Sequence, residues 1–345
     1  MADKRRDATQ PTIYLDTSTI SDAFKAHGAA ADQLAAFRPL LPWCERVAQE
    51  ANLCMSVMHL AEFSRWGDVE TADKIARWVD ATPIVWLGSM AHRIQTLEAQ
   101  AWTRIAVGAD AIPAGVPFCE GLAAAFKDLT PAAERLLSGP EPALRMVRDL
   151  RPSADWTARW EGWRTQFVDW LMVVVEDHRA ATEAGWSEGQ KRAQQARNDE
   201  RELRKVALAA DTQLLADGDE GYLWKRADVT DVGALLLGLY HFDPRALPLF
   251  RLGSRFNAGA IARAMRGRQD GGVASKSVRK ELGSAFGDYV HLAGGAYCDV
   301  FTCDGAVASW IDDVREKAGL RRQVTARNHP GGPAGFVAEL IASVP

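Results

Sequence analysis

Apolar and polar positions alternate between two periods along this chain. The run Pro11-Thr12-Ile13-Tyr14-Leu15-Asp16 is short, apolar and β-prone, and it ends on an acid. Thr17-Ser18-Thr19 behind it are good helix caps, so the pattern predicts a strand feeding a helix. A second strand is predicted over residues 51–56, Ala-Asn-Leu-Cys-Met-Ser, where Ser56 can cap a helix running through Trp66. A third is predicted over residues 83–88, Pro-Ile-Val-Trp-Leu-Gly. Helical spacing fills the gaps. Strands alternating with helices predict an α/β fold with a central parallel sheet and helices on both faces. Ligands of such folds bind beyond the carboxyl ends of the strands.

From about residue 96 to about residue 275 the pattern is helical, with no strand, and is broken by Pro and Gly clusters at Ile112–Pro117, Ser138–Pro142 and Asp217–Gly221. The strand pattern then returns: Cys298-Asp299-Val300-Phe301-Thr302-Cys303 runs into Asp304, and a last strand is predicted over Gln323–Ala326. The simplest organisation is one α/β domain in two halves, residues 11–95 and 280–345, interrupted by a long all-helical insertion over residues 96–279. Two sequential domains are the alternative, but the last segment alone is marginal for burying a sheet of its own. Within the insertion, Trp156, Trp160, Trp163, Phe167, Trp170 and Val174 recur at spacings of three and four, which predicts a packed seam of core. The mixed charges of residues 188–206 predict a solvated helix face.

Composition narrows the classes. The chain has 345 residues and a formal net charge of −4, so nucleic acid could be held only by a local basic patch or through metal ions, not by bulk charge. Five cysteines without a CxxC pair support neither a disulfide framework nor a zinc site, and are expected to be reduced and mostly buried. The charged stretch Met1 to Gln10 does not read as a signal peptide. The longest apolar runs, Leu171–Val175 and Ala234–Leu239, are too short to span a bilayer. No membrane partner and a cytoplasmic location are expected.

Four acids stand out by position. Asp16 and Asp304 each close a strand. Glu62 lies in the second turn of its helix, where the backward tilt of side chains lets it reach the strand ends. Asp288 shares a polar helical stripe with Glu281, Ser284 and His291. Taken singly, each is an ordinary cap or surface residue. Together, in a doubly wound sheet, all four can converge at one edge of the crevice. Carboxylates so gathered either shift their pKa values or recruit cations. Oxygen-only sites suit Mg²⁺ or Mn²⁺, and one or two such ions can activate a water against a phosphodiester. Asp22, one turn into the first helix, is a further accessory candidate. Asp299, at the wrong end of its strand, is excluded.

The segments Ile13-Tyr14-Leu15-Asp16-Thr17-Ser18, Met55-Ser56 through Ala61-Glu62-Phe63, and Asp288 followed by Val300-Phe301-Thr302-Cys303-Asp304 resemble, in order, the signature of PIN-domain nucleases. The resemblance covers about residues 11–95 and 280–340. It implies a three-layer α/β/α fold and Mg²⁺- or Mn²⁺-dependent endonuclease activity, most often on RNA. Residue by residue, it implies that Asp16, Glu62, Asp288 and Asp304 form the catalytic, metal-holding quartet. Thr17 and Thr302 match the accompanying hydroxyls. Compact members of that family, including bacterial toxin ribonucleases, have only a short helical clip where this chain has residues 96–279.

Arg251, Arg255, Arg263, Arg266, Arg268, Lys276, Arg279 and Lys280 stand against one acid, Asp270, just before the Asp288 helix. They are either a solvated surface or a phosphate-tracking patch. His291, one turn beyond Asp288, is expected as a solvated or capping histidine, with proton transfer or contact to the scissile phosphate as its functional alternative. The leading expectation is a ribonuclease. A catalytically silent nucleic-acid or protein binding module and a DNA nuclease are the alternatives, and a protein inhibitor or a second copy of the chain could be a partner.

Overall fold

The computed structural model describes residues 4–28, 32–88, 118–119, 121–126, 137, 139–187, 190–191, 194, 248–265, 276–317, 324–326 and 328–344. Its strands are β1 (Thr12–Tyr14), β2 (Asn52–Ser56), β3 (Val85–Leu87), β4 (Phe118–Cys119), β5 (Val300–Cys303) and β6 (Val324–Ala326). They form one sheet in the order β4-β3-β2-β1-β5-β6. All pairs are parallel except β3 with β4. The five parallel strands fall inside the five segments that the apolar pattern marks. β4 does not: it lies in the stretch expected to hold no strand. Two residues at an antiparallel edge are too few to show an alternation.

The chain builds β1, β2 and β3 outward in one direction, then returns to the other side of β1 to lay down β5 and β6. The order therefore reverses between β1 and β5, where Ile13 faces Val300 and Tyr14 faces Phe301. Asp16 and Asp304 lie just past the carboxyl ends of these neighbours, at the crevice where ligands of open α/β sheets sit.

The helices are α1 (Thr17–Lys25), α2 (Leu40–Glu50), α3 (Val57–Phe63), α4 (Val69–Ala81), α5 (Gly121–Phe126), α6 (Pro142–Leu150), α7 (Ala154–Glu183), α8 (Pro248–Met265), α9 (Lys276–Val290), α10 (Leu292–Tyr297), α11 (Gly305–Lys317) and α12 (Gly332–Ala342). They pack mainly within two groups, α1 to α6 with α12, and α7 to α11. This is compatible with helix layers on the two faces of the sheet. The region between β3 and α9 shares its core with the rest: Leu122, Val147, Trp160, Leu171 and Phe256 lie in the same buried apolar cluster as Ile13, Leu53 and Val300. α6 is tied to α4 by polar contacts as well. Asp80 accepts the Ala143 and Leu144 N–H groups, and Asp73 holds Arg148 and Arg151.

The aromatic seam of α7 packs as expected over its first half, with Trp160 and Phe167 buried and Trp156 and Trp163 half-buried. Trp170 departs from the expectation, being 43% exposed, because the buried stripe has moved to Val168, Leu171, Met172 and Val175. A seven-residue spacing drifts about 20° per repeat on a straight α-helix, so two repeats carry the seam off the core side. All five cysteines are free thiols, and all but Cys119 are buried. Among the described residues no helix is long and apolar enough to cross a membrane. The expected breaks at Ile112–Pro117 and Asp217–Gly221 and the apolar run Ala234–Leu239 lie outside the described residues, as does most of the charged stretch 188–206.

Candidate metal centre at the switch point

Asp16 follows β1 and caps α1 from an extended backbone. Its carboxylate accepts the Thr19 N–H and the hydroxyls of Ser18 and Thr19. Across the switch point, the fully buried Thr302 donates its hydroxyl to Asp16 Oδ1 at 2.7 Å and accepts the Asp16 N–H at 2.8 Å. The Thr302 hydroxyl thus orients the Asp16 carboxylate. Ser18 and Thr19 were visible in sequence only as helix caps. Asp304, after β5, accepts the Val307 N–H at 2.7 Å and so caps α11.

Glu62 lies in α3, whose last helical residue is Phe63 rather than Trp66. Its Oε2 is 3.1 Å from His291 Nε2, which is also 3.1 Å from Thr17 Oγ1. Burial would raise the Glu62 pKa. The charge and hydrogen bond of His291, with smaller contributions from Thr17 and His59, outweigh burial and hold it below the usual carboxylate value.

Asp288, in the last turn of α9, is the opposite case. Burial first, then the charges of Asp304, Asp16 and Glu62, push its carboxyl up to about 7, although His291 pulls the other way. These influences mark the convergence of the four acids from four separate elements. The charge of His291 offsets these influences only in part.

His291 is expected as a solvated or capping residue; it stands at the N-cap of α10, without a side-chain capping bond, but it is not solvated. It is only 5% exposed and sits at the break between α9 and α10, which the apolar pattern reads as one continuous helix. Its Nδ1 is 2.6 Å from Tyr14 Oη, and Tyr14 Oη is 2.8 Å from Ser56 Oγ. Burial opposes protonation of His291, but Glu62 and, beyond it, Asp16 and Asp288 more than offset this and raise its pKa. His59, fully buried beside it, goes the other way: burial and the neighbouring His291 push it down to about 4. The Nδ1 of His59 accepts the Ser56 N–H at 3.1 Å, so its Nε2 donates to the Leu15 carbonyl at 2.8 Å. The sequence marks Ser56 only as a helix cap and does not single out Tyr14 or His59. One signal was present: Tyr14 is two positions before Asp16, and alternate residues of an extended chain share a face.

Of the accessory acids, Asp22 is half-buried in α1. Asp299 accepts the Thr12 N–H at 2.8 Å at the far end of the strands, as its exclusion requires. In the basic segment, Arg255, Arg263, Arg279 and Lys280 are exposed. Arg263 pairs with Glu281 at 2.6 Å and Arg279 with Asp169 at 2.7 Å. Arg266 and Arg268 lie outside the described residues, as do the side chains of Arg251 and Lys276.

Among the described residues no three His, Cys, Asp or Glu side chains form a ready-made metal cage. The donor set still fits a hard divalent cation such as Mg²⁺ or Mn²⁺. The acids at the crevice offer oxygen only, and Asp288, raised by burial and by its acidic neighbours, is the group that a cation would relieve. Comparison with protein-family models, with curated proteins and with solved structures finds no match to this chain.

Proposed function

We propose that this protein is a divalent-metal-dependent endonuclease acting on RNA. In this reading its fold is PIN-like and three-layered, with residues 96–279 as an insertion. The observation that carries the reading is Asp288, half-buried within reach of three other acids and pushed up to about 7 by desolvation and by Asp304, Asp16 and Glu62. The ordered resemblance of the four acid-bearing segments supports the same chemistry. Asp16, Glu62, Asp288 and Asp304 are the groups that would hold Mg²⁺ or Mn²⁺. A bound ion of this kind supplies Lewis acidity, polarising a phosphodiester and making an attacking water more acidic.

The chain's own residues prepare that site. Thr302, Ser18 and Thr19 fix the Asp16 carboxylate, the Val307 N–H fixes Asp304, and Thr17 and His291 fix the region around Glu62. Preorganised charges of this sort need no rearrangement when the reaction begins. The preference for RNA rests on the resemblance. A site that distinguishes RNA from DNA must sense the 2′-hydroxyl.

A silent binding module on the same fold is the rival. Incubation of labelled single-stranded RNA and matched DNA with the protein and Mn²⁺ separates the readings. RNA cleavage that is lost on chelation and in Asp16→Asn or Asp288→Asn is the expected result. Undiminished cleavage by either variant overturns the assigned site. RNA retention without turnover establishes the binding module, and cleavage of DNA alone establishes a DNA nuclease.

A further inference from the structure

We infer that His291 is a positioning residue for Glu62, held in place by a buried chain of side chains that begins beside Asp16. The inference rests on the metal-site reading above and specifies how one of its carboxylates is presented.

The chain starts at the Leu15 carbonyl, the group immediately before Asp16. His59 Nε2 donates to it at 2.8 Å. His59 Nδ1 is 3.3 Å from Ser56 Oγ, Ser56 Oγ is 2.8 Å from Tyr14 Oη, and Tyr14 Oη is 2.6 Å from His291 Nδ1. His291 Nε2 then meets Glu62 Oε2 at 3.1 Å. One assignment gives every donor an acceptor: His291 Nε2–H donates to Glu62, the Tyr14 hydroxyl to His291 Nδ1, the Ser56 hydroxyl to Tyr14 Oη, the Ser56 N–H to His59 Nδ1, and His59 Nε2–H to the Leu15 carbonyl. Ser56, His59, Tyr14 and His291 are all buried, so water does not substitute for a missing member.

Packing removes the remaining freedom. The Tyr14 ring lies 4.8 Å from His59, 5.8 Å from His291 and 5.9 Å from Phe301. It also lies directly on Gly294, where any Cβ would sit 2.3 Å from Tyr14 Cγ. The imidazole is therefore set by both of its nitrogens and by the ring beside it. Glu62 is left with Oε2 engaged and Oε1 beside Gly287, the residue before Asp288. Thr17 hydrogen-bonds the same carboxylate, and the His291 side of the contact is referred back to the Leu15 carbonyl.

Groups that hold a ligating carboxylate typically change metal affinity by about 10–100-fold when removed. The test is a Mn²⁺ titration followed by calorimetry or electron paramagnetic resonance at constant pH, with thermal unfolding as a check on folding. Relative to wild type, His291→Leu is expected to bind Mn²⁺ about tenfold more weakly. His291→Gln, which keeps an N–H donor towards Glu62, is expected to recover most of that loss. Tyr14→Phe, which keeps the ring and loses the hydroxyl, is expected to fall between. Removal of a mere cationic neighbour would tighten binding instead, so unchanged or tighter binding by His291→Leu overturns the inference. Should His291→Leu not fold, wild-type affinity in Tyr14→Phe overturns it. Glu62→Gln and Asp288→Asn separate the two levels. If both match wild type, or wild type does not bind Mn²⁺, the metal reading itself fails. If both weaken binding while the His291 and Tyr14 variants do not, only the positioning role fails.

Discussion

Thr302 and Asp16, 286 positions apart in sequence, are joined by two hydrogen bonds in which the threonine hydroxyl both donates to the carboxylate and accepts the backbone N–H. The pair closes the seam between β1 and β5 where the strand order reverses. Thr302→Val keeps the shape and removes both bonds, leaving the Asp16 N–H without its acceptor. An expected loss of about 1–3 kcal/mol follows from stranding such a group. Urea unfolding measures it, and Thr302→Ser is expected to remain near wild type.

The stability of the metal-free protein should depend on Asp288. Its folded pKa is raised from an ordinary carboxylate value to about 7, by burial and then by Asp304, Asp16 and Glu62. The folded state therefore binds this proton more tightly than the unfolded state does. The contribution is fully present below the unfolded pKa and is lost as pH rises through 7. His291, also raised, contributes in the same sense above its unfolded value. Asp288→Asn is expected to lose less stability than wild type between pH 5 and pH 8 in chelator. An identical pH profile for the two proteins contradicts this account.

Gly294 is required by close approach rather than by backbone conformation. A methyl group there meets the Tyr14 ring at 2.3 Å. Gly294→Ala should displace Tyr14 and cost about 1–3 kcal/mol by overpacking, in spite of alanine's better helix propensity. Thermal denaturation distinguishes this from the small stabilisation expected of an unobstructed helical glycine.

In the proposed reading, the salt dependence of RNA binding tests the basic segment. Arg263 and Arg279 are committed to Glu281 and Asp169, and a phosphate would have to displace those exposed pairs. Replacing an arginine that contacts phosphate lowers the salt slope by about one. Arg263→Ala and Arg279→Ala are therefore each expected to lower it by less. Fluorescence anisotropy of labelled RNA across a salt series gives the slopes, and a full unit from either variant shows that its ion pair gives way completely.

The parallel strands are legible in the amino-acid order alone, because a buried strand must carry a compact β-prone run whatever surrounds it. The four acids are legible there as candidates too, since strand ends and early helical turns are local features. The pairing of Thr302 with Asp16 was foreshadowed only through the resemblance. The break at His291 was hidden, because the apolar residues from Leu282 to Ala296 keep helical spacing across it. So was the chain from His59 to Glu62: its members come from β1, β2, α3 and the α9–α10 junction, and no local pattern links them. Only the tertiary structure decided that His291 is buried, and it did so by contact. Tyr14 and Glu62 hold the two ring nitrogens, and Gly294 leaves the space into which the Tyr14 ring packs.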